Sequence, residues 1–166
     1  MKLNTRSRVA WMVVVLVVML TVIALMRFDL AALPEPGPVE TRLANLSKRY
    51  FVYRSSRQGI PPRPMDTKAS VVSGSTQYGL DCDVCHAADG RSQQPPGQLM
   101  YPRATDLTSK QVQSYSDQEL FWIIQNGIRY TGMPGFRDVE SPDHIWDVVN
   151  YVRTLPAQSK EGDETK

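Results

Sequence analysis

The sequence predicts an all-α protein in which one membrane-spanning helix precedes a small helical domain. Three observations carry this. Residues 9–26 are apolar without a single charge. Further along, apolar residues recur at spacings of three and four, the period of a helix face. Helix starts are written as Ser-x-x-Glu and Ser-Pro, and helix ends as Gly or Pro.

The apolar run "VAWMVVVLVVMLTVIALM", Val9 to Met26, is 18 residues long with Thr21 as its only hydroxyl. At 1.5 Å per residue it makes about 27 Å of helix, close to the hydrocarbon thickness of a bilayer. Lys2, Arg6 and Arg8 precede it without an acid, which keeps the N-terminus cytoplasmic and sends the remainder across. Trp11 falls at interface depth. A cleaved signal peptide has a shorter apolar core before a small-x-small site, and Leu30-x-Ala32 matches such a site poorly. Residues 1–27 are therefore expected to be a retained anchor in the lipid bilayer. Everything beyond it would be periplasmic, or outside the membrane of another bacterium.

The overall charge of +2 conceals a split, since all 17 acids lie after position 28 with 15 of the 19 bases, leaving the exported part at −2. No nucleic-acid partner is expected. Residues 28–65 read as a Pro-rich linker and a basic amphipathic helix. "LPEPGP" at 33–38 is a stiff, extended spacer. From Val39 to Gln58, Leu43, Leu46, Tyr50 and Tyr53 share one face while Arg42, Lys48, Arg49, Arg54 and Arg57 occupy others, and "GIPPRP" ends the helix. The apolar stripe suits packing on the protein's own domain; the basic faces suit anionic lipid or an acidic partner.

Residues 66–157 read as one domain, with 158–166 a polar tail. A domain of this size builds a marginal core. Three helices are expected. The first runs from about Val71 into Cys85. The second starts at Ser116, with Glu119 completing a capping box, carries Leu120, Phe121, Ile123 and Ile124, and stops at Gly127. The third starts at Ser141 with Pro142 in its first turn, lines up Ile145, Val148, Val149, Val152 and Leu155, and halts at Pro156.

Both cysteines and one of the two histidines fall inside "DCDVCHAADG", residues 81–90. Three chemistries compete for Cys-x-x-Cys. Zinc needs four ligands; only Cys82, Cys85, His86 and the remote His144 exist, and adjacent Cys85 and His86 are hard to aim at one ion. A redox dithiol expects a βαβ setting with an exposed helix N-terminus, whereas polar, Gly- and Pro-rich chain follows here. Cys-x-x-Cys-His is also the attachment signature of c-type haem, in which the thiols add to the vinyl groups and the next residue ligates iron. The residues favour this third chemistry. One motif implies one haem, which consumes both thiols, so no disulfide is expected although an exported domain permits one.

"YGLDCDVCHAADG", "YPRATDL", "SDQELFWIIQNGIRYTGMPGF" and "IWDVVNYVRTL", in that order, resemble the monohaem bacterial members of the class I cytochrome c family. The resemblance covers roughly residues 70–157. It implies the class I cytochrome c fold around one covalent haem c, with Cys82 and Cys85 as thioether positions and His86 as the proximal iron ligand. Met133 matches the distal ligand. Gly132 and Pro134 on either side of it allow a tight loop to press the soft sulfur toward iron. A carbonyl at Pro96 or Pro102 is the family-like acceptor for the second nitrogen of His86. For Arg103, Arg129 and Tyr130 a solvated surface role is expected, with bonds to the haem propionates as the alternative, and His144 is expected at the surface. The implied role is a single-electron carrier, not a catalyst, between exported redox proteins in a respiratory or dehydrogenase chain. The alternatives are a permanent subunit of a larger membrane complex or, if Met133 is not an iron ligand, a haem peroxidase or gas sensor.

Overall fold

The computed structural model describes residues 4–27, 31–63 and 67–156, and every regular element among them is helical. Lys2, Leu30 of the poor cleavage-site match, Met65 and the tail at 158–166 lie outside the described residues. The elements are α1 (Thr5–Met26), α2 (Pro38–Ser55), α3 (Thr67–Asp81), a single turn α4 (Asp83–His86), a 3₁₀ turn (Gly97–Leu99), a single turn α5 (Lys110–Gln113), α6 (Asp117–Asn126) and α7 (Pro142–Val152). The chain divides into two compact units, Met1–Ala31 and Ala32–Lys166.

The first unit is α1, long and apolar enough to cross a membrane. Its large apolar side chains are exposed. The Thr21 hydroxyl donates to the Val17 carbonyl at 2.8 Å, so the one hydroxyl of the run is satisfied within its own helix, as a hydrocarbon environment demands.

The second unit is organised by α3 lying on α7. Gly74 makes this approach possible: a Cβ there would sit 2.0 Å from the Asp147 carbonyl oxygen and 2.4 Å from its carbon. Ser70 and Tyr78, one turn to either side of Gly74, are both buried, so α3 contributes a stripe of small and aromatic residues. That stripe explains why helix α3 starts four residues before the apolar periodicity suggested: Ser70 belongs to its packed face, and a serine carries no hydrophobic signal.

Around the α3–α7 contact lie two joined apolar clusters. One gathers Val112, Tyr115, Leu120, Phe121, Ile145, Trp146 and Val149; the other Tyr78, Val148, Val152 and Leu155. The α7 stripe expected from its spacing is thus the core. Phe121 of α6 and Trp146 of α7 pack ring to ring at 4.6 Å between centroids. Each long site-bearing helix begins as its sequence indicates. Ser116 and Glu119 form a complete capping box, and Ser141 accepts from the His144 N–H with Pro142 at the first position. Helix α7 ends at Val152, four residues short of Pro156, because its last turn tightens: the Thr154 N–H reaches the Tyr151 carbonyl at 2.8 Å.

Residues 60–63 strap α7 from outside. The Trp146 indole donates to the Pro61 carbonyl at 3.2 Å, and Arg63 bonds both Asp117 and Asn150. Asn150 in turn donates to Ser70 at 2.6 Å, and Arg153 donates to Asp117 at 2.8 Å. Every polar group brought inside with α7 is thereby paired, which matters because an unpaired one costs about 1–3 kcal/mol.

Helix α2 departs from one of its two expected uses. It is helical where predicted, capped by Gly37 with Pro38 at the first position, but its apolar stripe does not pack. Val52 and Ser56 are the buried residues. Arg49 holds α2 to the domain by donating to the Ser114 hydroxyl at 2.8 Å and its carbonyl at 3.1 Å, and it lies 4.7 Å from the Tyr115 ring centre. Leu43, Leu46, Tyr50 and Tyr53 remain exposed. Polar and stacking contacts of Arg49, together with one valine, outweigh the periodic stripe in choosing the docked face.

The helix contact gives a test with opposite signs at two glycines of one helix. Replacing helical Gly by Ala ordinarily stabilises by about 1 kcal/mol. At exposed Gly79, where a Cβ meets nothing within 4 Å, Gly79→Ala should raise Tm or leave it unchanged. Gly74→Ala must push α3 off α7, and overpacking of this kind costs about 1–3 kcal/mol, so Tm should fall. Thermal unfolding of the haem-loaded protein followed by circular dichroism compares the two; equal shifts would contradict the close approach.

Candidate functional site

The Cys-x-x-Cys-His stretch sits directly beyond the α3–α7 contact. Helix α3 breaks at Cys82, and the chain resumes as the single turn α4. The Cys85 and His86 N–H groups both return to the Cys82 carbonyl, at 3.1 and 2.9 Å, which folds both thiols and the imidazole onto one turn. Two contacts lock the end of that turn. The buried Tyr78 hydroxyl donates to the Ala87 carbonyl at 2.7 Å, and Ala87 itself takes a left-handed φ of 61°. The Ser92 N–H then donates to the His86 carbonyl at 2.9 Å.

His86 Nδ1 lies 3.0 Å from the Thr105 carbonyl oxygen. A carbonyl can only accept, so Nδ1 carries the proton and Nε2 keeps its lone pair. Burial lowers the His86 pKa, and the bond to Thr105 works against that; the ring is held as neutral imidazole, the form that binds metal. The acceptor is therefore Thr105 and neither Pro96 nor Pro102, a correction with a local cause. Gly97 passes so close to Cys85 that a Cβ would stand 2.1 Å from its carbonyl oxygen, and the Ala104 N–H bonds the Gly97 carbonyl at 2.9 Å. This loop closure carries Thr105, not the prolines, under the imidazole. Ser92, fully buried, donates to the same Thr105 oxygen at 2.8 Å and lies 3.1 Å from Nδ1.

"YPRATDL" finds its reason here. Asp106 accepts from the Thr108 N–H and hydroxyl, both at 2.7 Å, and the Leu107 N–H donates to the Gly90 carbonyl at 2.8 Å. Leu107 packs on both core clusters. Asp and Leu together pin the carbonyl-bearing loop to the core.

Met133 lies on a loop folded back along the end of α6. Gly127, at φ 67°, has the backbone of Met133, Pro134 and Gly135 within 2.7 Å of where its Cβ would be, so no side chain fits there. The Thr131 hydroxyl donates to the Ile128 carbonyl at 2.7 Å and accepts from the Met133 N–H at 3.2 Å. The Phe136 N–H donates to Ile124 and that of Arg137 to Gln125, at 3.1 and 3.0 Å. Met100 packs its sulfur on Gly132: a Cβ at 132 would be 2.5 Å from Sδ. Residues 97–100 thus touch the Cys85 turn at one end and the Met133 loop at the other. Cys82, Ile124 and Phe136 line one cleft together with Ile145 and Val148. Nothing in the spacing of Ser92, Met100 or Thr105 marked them, since their roles arise only when three loops meet.

The competing chemistries fare poorly at this geometry. Burial, then the nearby Asp81, Cys85 and Glu140, push the Cys82 thiol up to about 12, opposite to the lowered pKa of a redox-active dithiol. Among the described residues no three His, Cys, Asp or Glu side chains are grouped to hold a metal ion by themselves. A turn presenting two thiols and an Nε2 lone pair does fit haem c. His144 is half-exposed and pairs with Glu140 at 2.9 Å, as a surface histidine should. Arg103 bonds Glu35 at 2.7 Å, and Tyr130 is 90% exposed.

Comparison with known proteins leads the same way. The family model described as "Cytochrome C oxidase, cbb3-type, subunit III" matches residues 69–152, just over half of the chain. A chain of the Kuenenia stuttgartiensis reducing HAO-like protein complex has a similar fold, with a TM-score of 0.54 and 23% identity. The alignment covers 58% of this chain and 48% of that one, so this protein spans about half the length of its structural neighbour. A search of curated proteins finds no match. The matched segment runs from α3 through the Cys-x-x-Cys-His turn to the end of α7, and the chain belongs to the cytochrome c family described as cbb3-type cytochrome c oxidase subunit III, all-α domains that carry covalently bound haem c and transfer electrons through it.

Proposed function

We propose that this protein is a membrane-anchored monohaem electron carrier in which Cys82 and Cys85 form the thioether bonds while His86 Nε2 and Met133 Sδ are the axial iron ligands. The observation that carries the reading is the Thr105 carbonyl under His86 Nδ1, which fixes the tautomer, aims Nε2 away from the loop and makes the imidazole a stronger donor. When bound, haem c supplies a one-electron couple. The chain's own work is to hold it still: Tyr78 and Gly97 secure the thiol turn, Thr105 orients His86, and Gly127, Thr131 and Met100 set the loop that presents Met133. With His86 and Met133 both bound to the iron, no position on it would be left open for a substrate, which would separate a carrier from a peroxidase or gas sensor. Helix α1 is the anchor, and Arg6 and Arg8 at its start favour a cytoplasmic N-terminus with the haem domain on the far side.

Two contexts suit such a carrier. The description of its family names an oxidase subunit, and its structural neighbour is part of a complex; both favour a place as a haem subunit within a larger membrane oxidoreductase of a respiratory chain. A free shuttle is favoured by the net charge of residues 64–166, 14 acids against 9 bases, which suits a partner with a basic docking face. Native mass analysis after mild detergent extraction distinguishes them. A stable assembly with other polypeptides is expected, and the haem protein emerging alone would leave the shuttle.

The ligand assignment is tested on wild type, Met133→Ala, Cys82→Ser and Cys85→Ser. Haem stain should persist through denaturing electrophoresis in wild type and Met133→Ala, and weaken in each Cys variant. Wild type should be low-spin and slow to bind carbon monoxide, with a sulfur-to-iron band in the oxidised spectrum. Met133→Ala should lose that band, bind carbon monoxide and fall in potential. An unchanged spectrum and potential would reduce Met133 to a packing residue.

Ser92 tests the orienting bond by a separate route. Its hydroxyl and His86 Nδ1 share one acceptor, so Ser92→Ala should strengthen the His86–Thr105 bond, make the imidazole more electron-rich and lower the potential, with axial ligation unchanged by absorption spectrum. A potential equal to wild type would show that the shared carbonyl does not tune the haem.

A further inference from the structure

Among the described residues of its own unit, none covers the apolar stripe of α2. Val39, Leu43, Leu46, Tyr50 and Tyr53 follow one another at alternating spacings of four and three and so share a face, and each is at least half exposed. The face that docks α2 lies roughly three-eighths of a turn away at 100° per residue: Val52 and Ser56 are buried, and Asn45 and Lys48 are half-buried. Arg42 lies on one flank of the stripe and Arg54 on the other, both exposed. Arg57 continues it, its guanidinium 4.5 Å from the centre of the Tyr53 ring. Glu40, the one acid of the helix, has its carboxylate engaged by the Tyr101 hydroxyl.

We propose that this face of α2 lies in the surface of an anionic lipid bilayer, with Leu43, Leu46, Tyr50 and Tyr53 at the boundary between head groups and acyl chains and with Arg42, Arg54 and Arg57 among the phosphates. Three features choose lipid over other occupants. An apolar stripe with arginines on both sides is the pattern of an interfacial helix, whose long cations extend to the phosphates while their stems cover apolar surface. Tyrosines in the stripe have an apolar body and a polar tip, suited to a boundary that is dry on one side and wet on the other. Chain length supplies the third. Helix α1 ends at Met26 and α2 begins at Pro38, so residues 27–37 can extend over no more than about 40 Å, and α2 cannot stray far from the bilayer that α1 is fitted to cross. Juxtamembrane cations are attracted to an anionic leaflet. Arg49 and Val52 fix α2 to the haem domain, so a seated α2 gives that domain a defined attitude on the membrane instead of leaving it to swing on a linker.

The test uses the full-length, haem-loaded protein in nanodiscs holding one copy each, with the native cysteines taken up by haem and spin labels introduced at Leu46→Cys, Tyr50→Cys and, on the far side of α2, Ala44→Cys; unlabelled wild type controls for stray thiols and the haem spectrum for folding. In phosphatidylglycerol-containing discs the labels at 46 and 50 should be reached by oxygen far better than by a water-soluble nickel chelate, and the label at 44 should show the reverse. Arg42→Gln, Arg54→Gln and Arg57→Gln together, or discs of phosphatidylcholine alone, should shrink the difference several-fold. Labels at 46 and 50 that read as aqueous in anionic discs would overturn the proposal. Labels shielded from both reagents would overturn it equally, because a protein surface and not lipid would then cover the face.

Discussion

Because residue 74 has no side chain, α3 comes to rest on the backbone of α7 at Asp147, and the rest of the haem domain is arranged around that contact. It brings Tyr78 into the interior beside Val148, Val152 and Leu155. From there the Tyr78 hydroxyl can reach the Ala87 carbonyl and hold the end of the thiol-bearing turn. Had α3 stood off by the width of one methyl group, the tyrosine, the turn and the imidazole that follows would all have shifted together. The contact also explains the polar network across α7. Helices this close must bury Ser70 and Asn150, and Arg63 and Asp147 are present to pair them.

Three loops depend on this frame, and none is held by a strong core of its own. The segment after His86 is tied by Ser92 and by the Gly90–Leu107 bond. The segment carrying Thr105 is tied by Gly97 against Cys85. The loop carrying Met133 is tied to the end of α6 and touches Met100. Each link is a hydrogen bond or a close backbone approach, worth little alone. Together they fix three separate stretches of chain relative to one another, the one after His86, the one carrying Thr105 and the one carrying Met133, as the proposed electron-transfer centre requires. A covalently held porphyrin adds the apolar interior that a domain of this size lacks.

Helix α2 joins this domain through a different chemistry. Its contacts are those of Arg49 with Ser114 and Tyr115 and of Asn45 with Gln111, with Val52 as the apolar point of contact. Lys48 is half-buried on the same docked side, and desolvation there lowers its pKa. An amphipathic helix attached by its polar side presents its apolar side outward, which in an anchored protein turns the whole domain into a candidate peripheral membrane protein.

The sequence by itself determined the helical class, the apolar run of α1, the capped starts of α6 and α7, the buried face of α7 and the Cys-x-x-Cys-His turn. These features are local: caps, periods and motifs act over a few residues and need no partner to be recognised. Tertiary structure alone decided the acceptor under His86, the contact of Met100 with the loop of Met133 and the face by which α2 docks. Thr105 is 19 positions from His86, and only the closure of Gly97 on Cys85 brings it within reach. The α2 stripe shows the limit most plainly. Spacing reports that a helix has an apolar face, but which face is buried depends on the surface it meets, and here that surface offered Ser114 and Tyr115 to an arginine instead of an apolar groove to leucines.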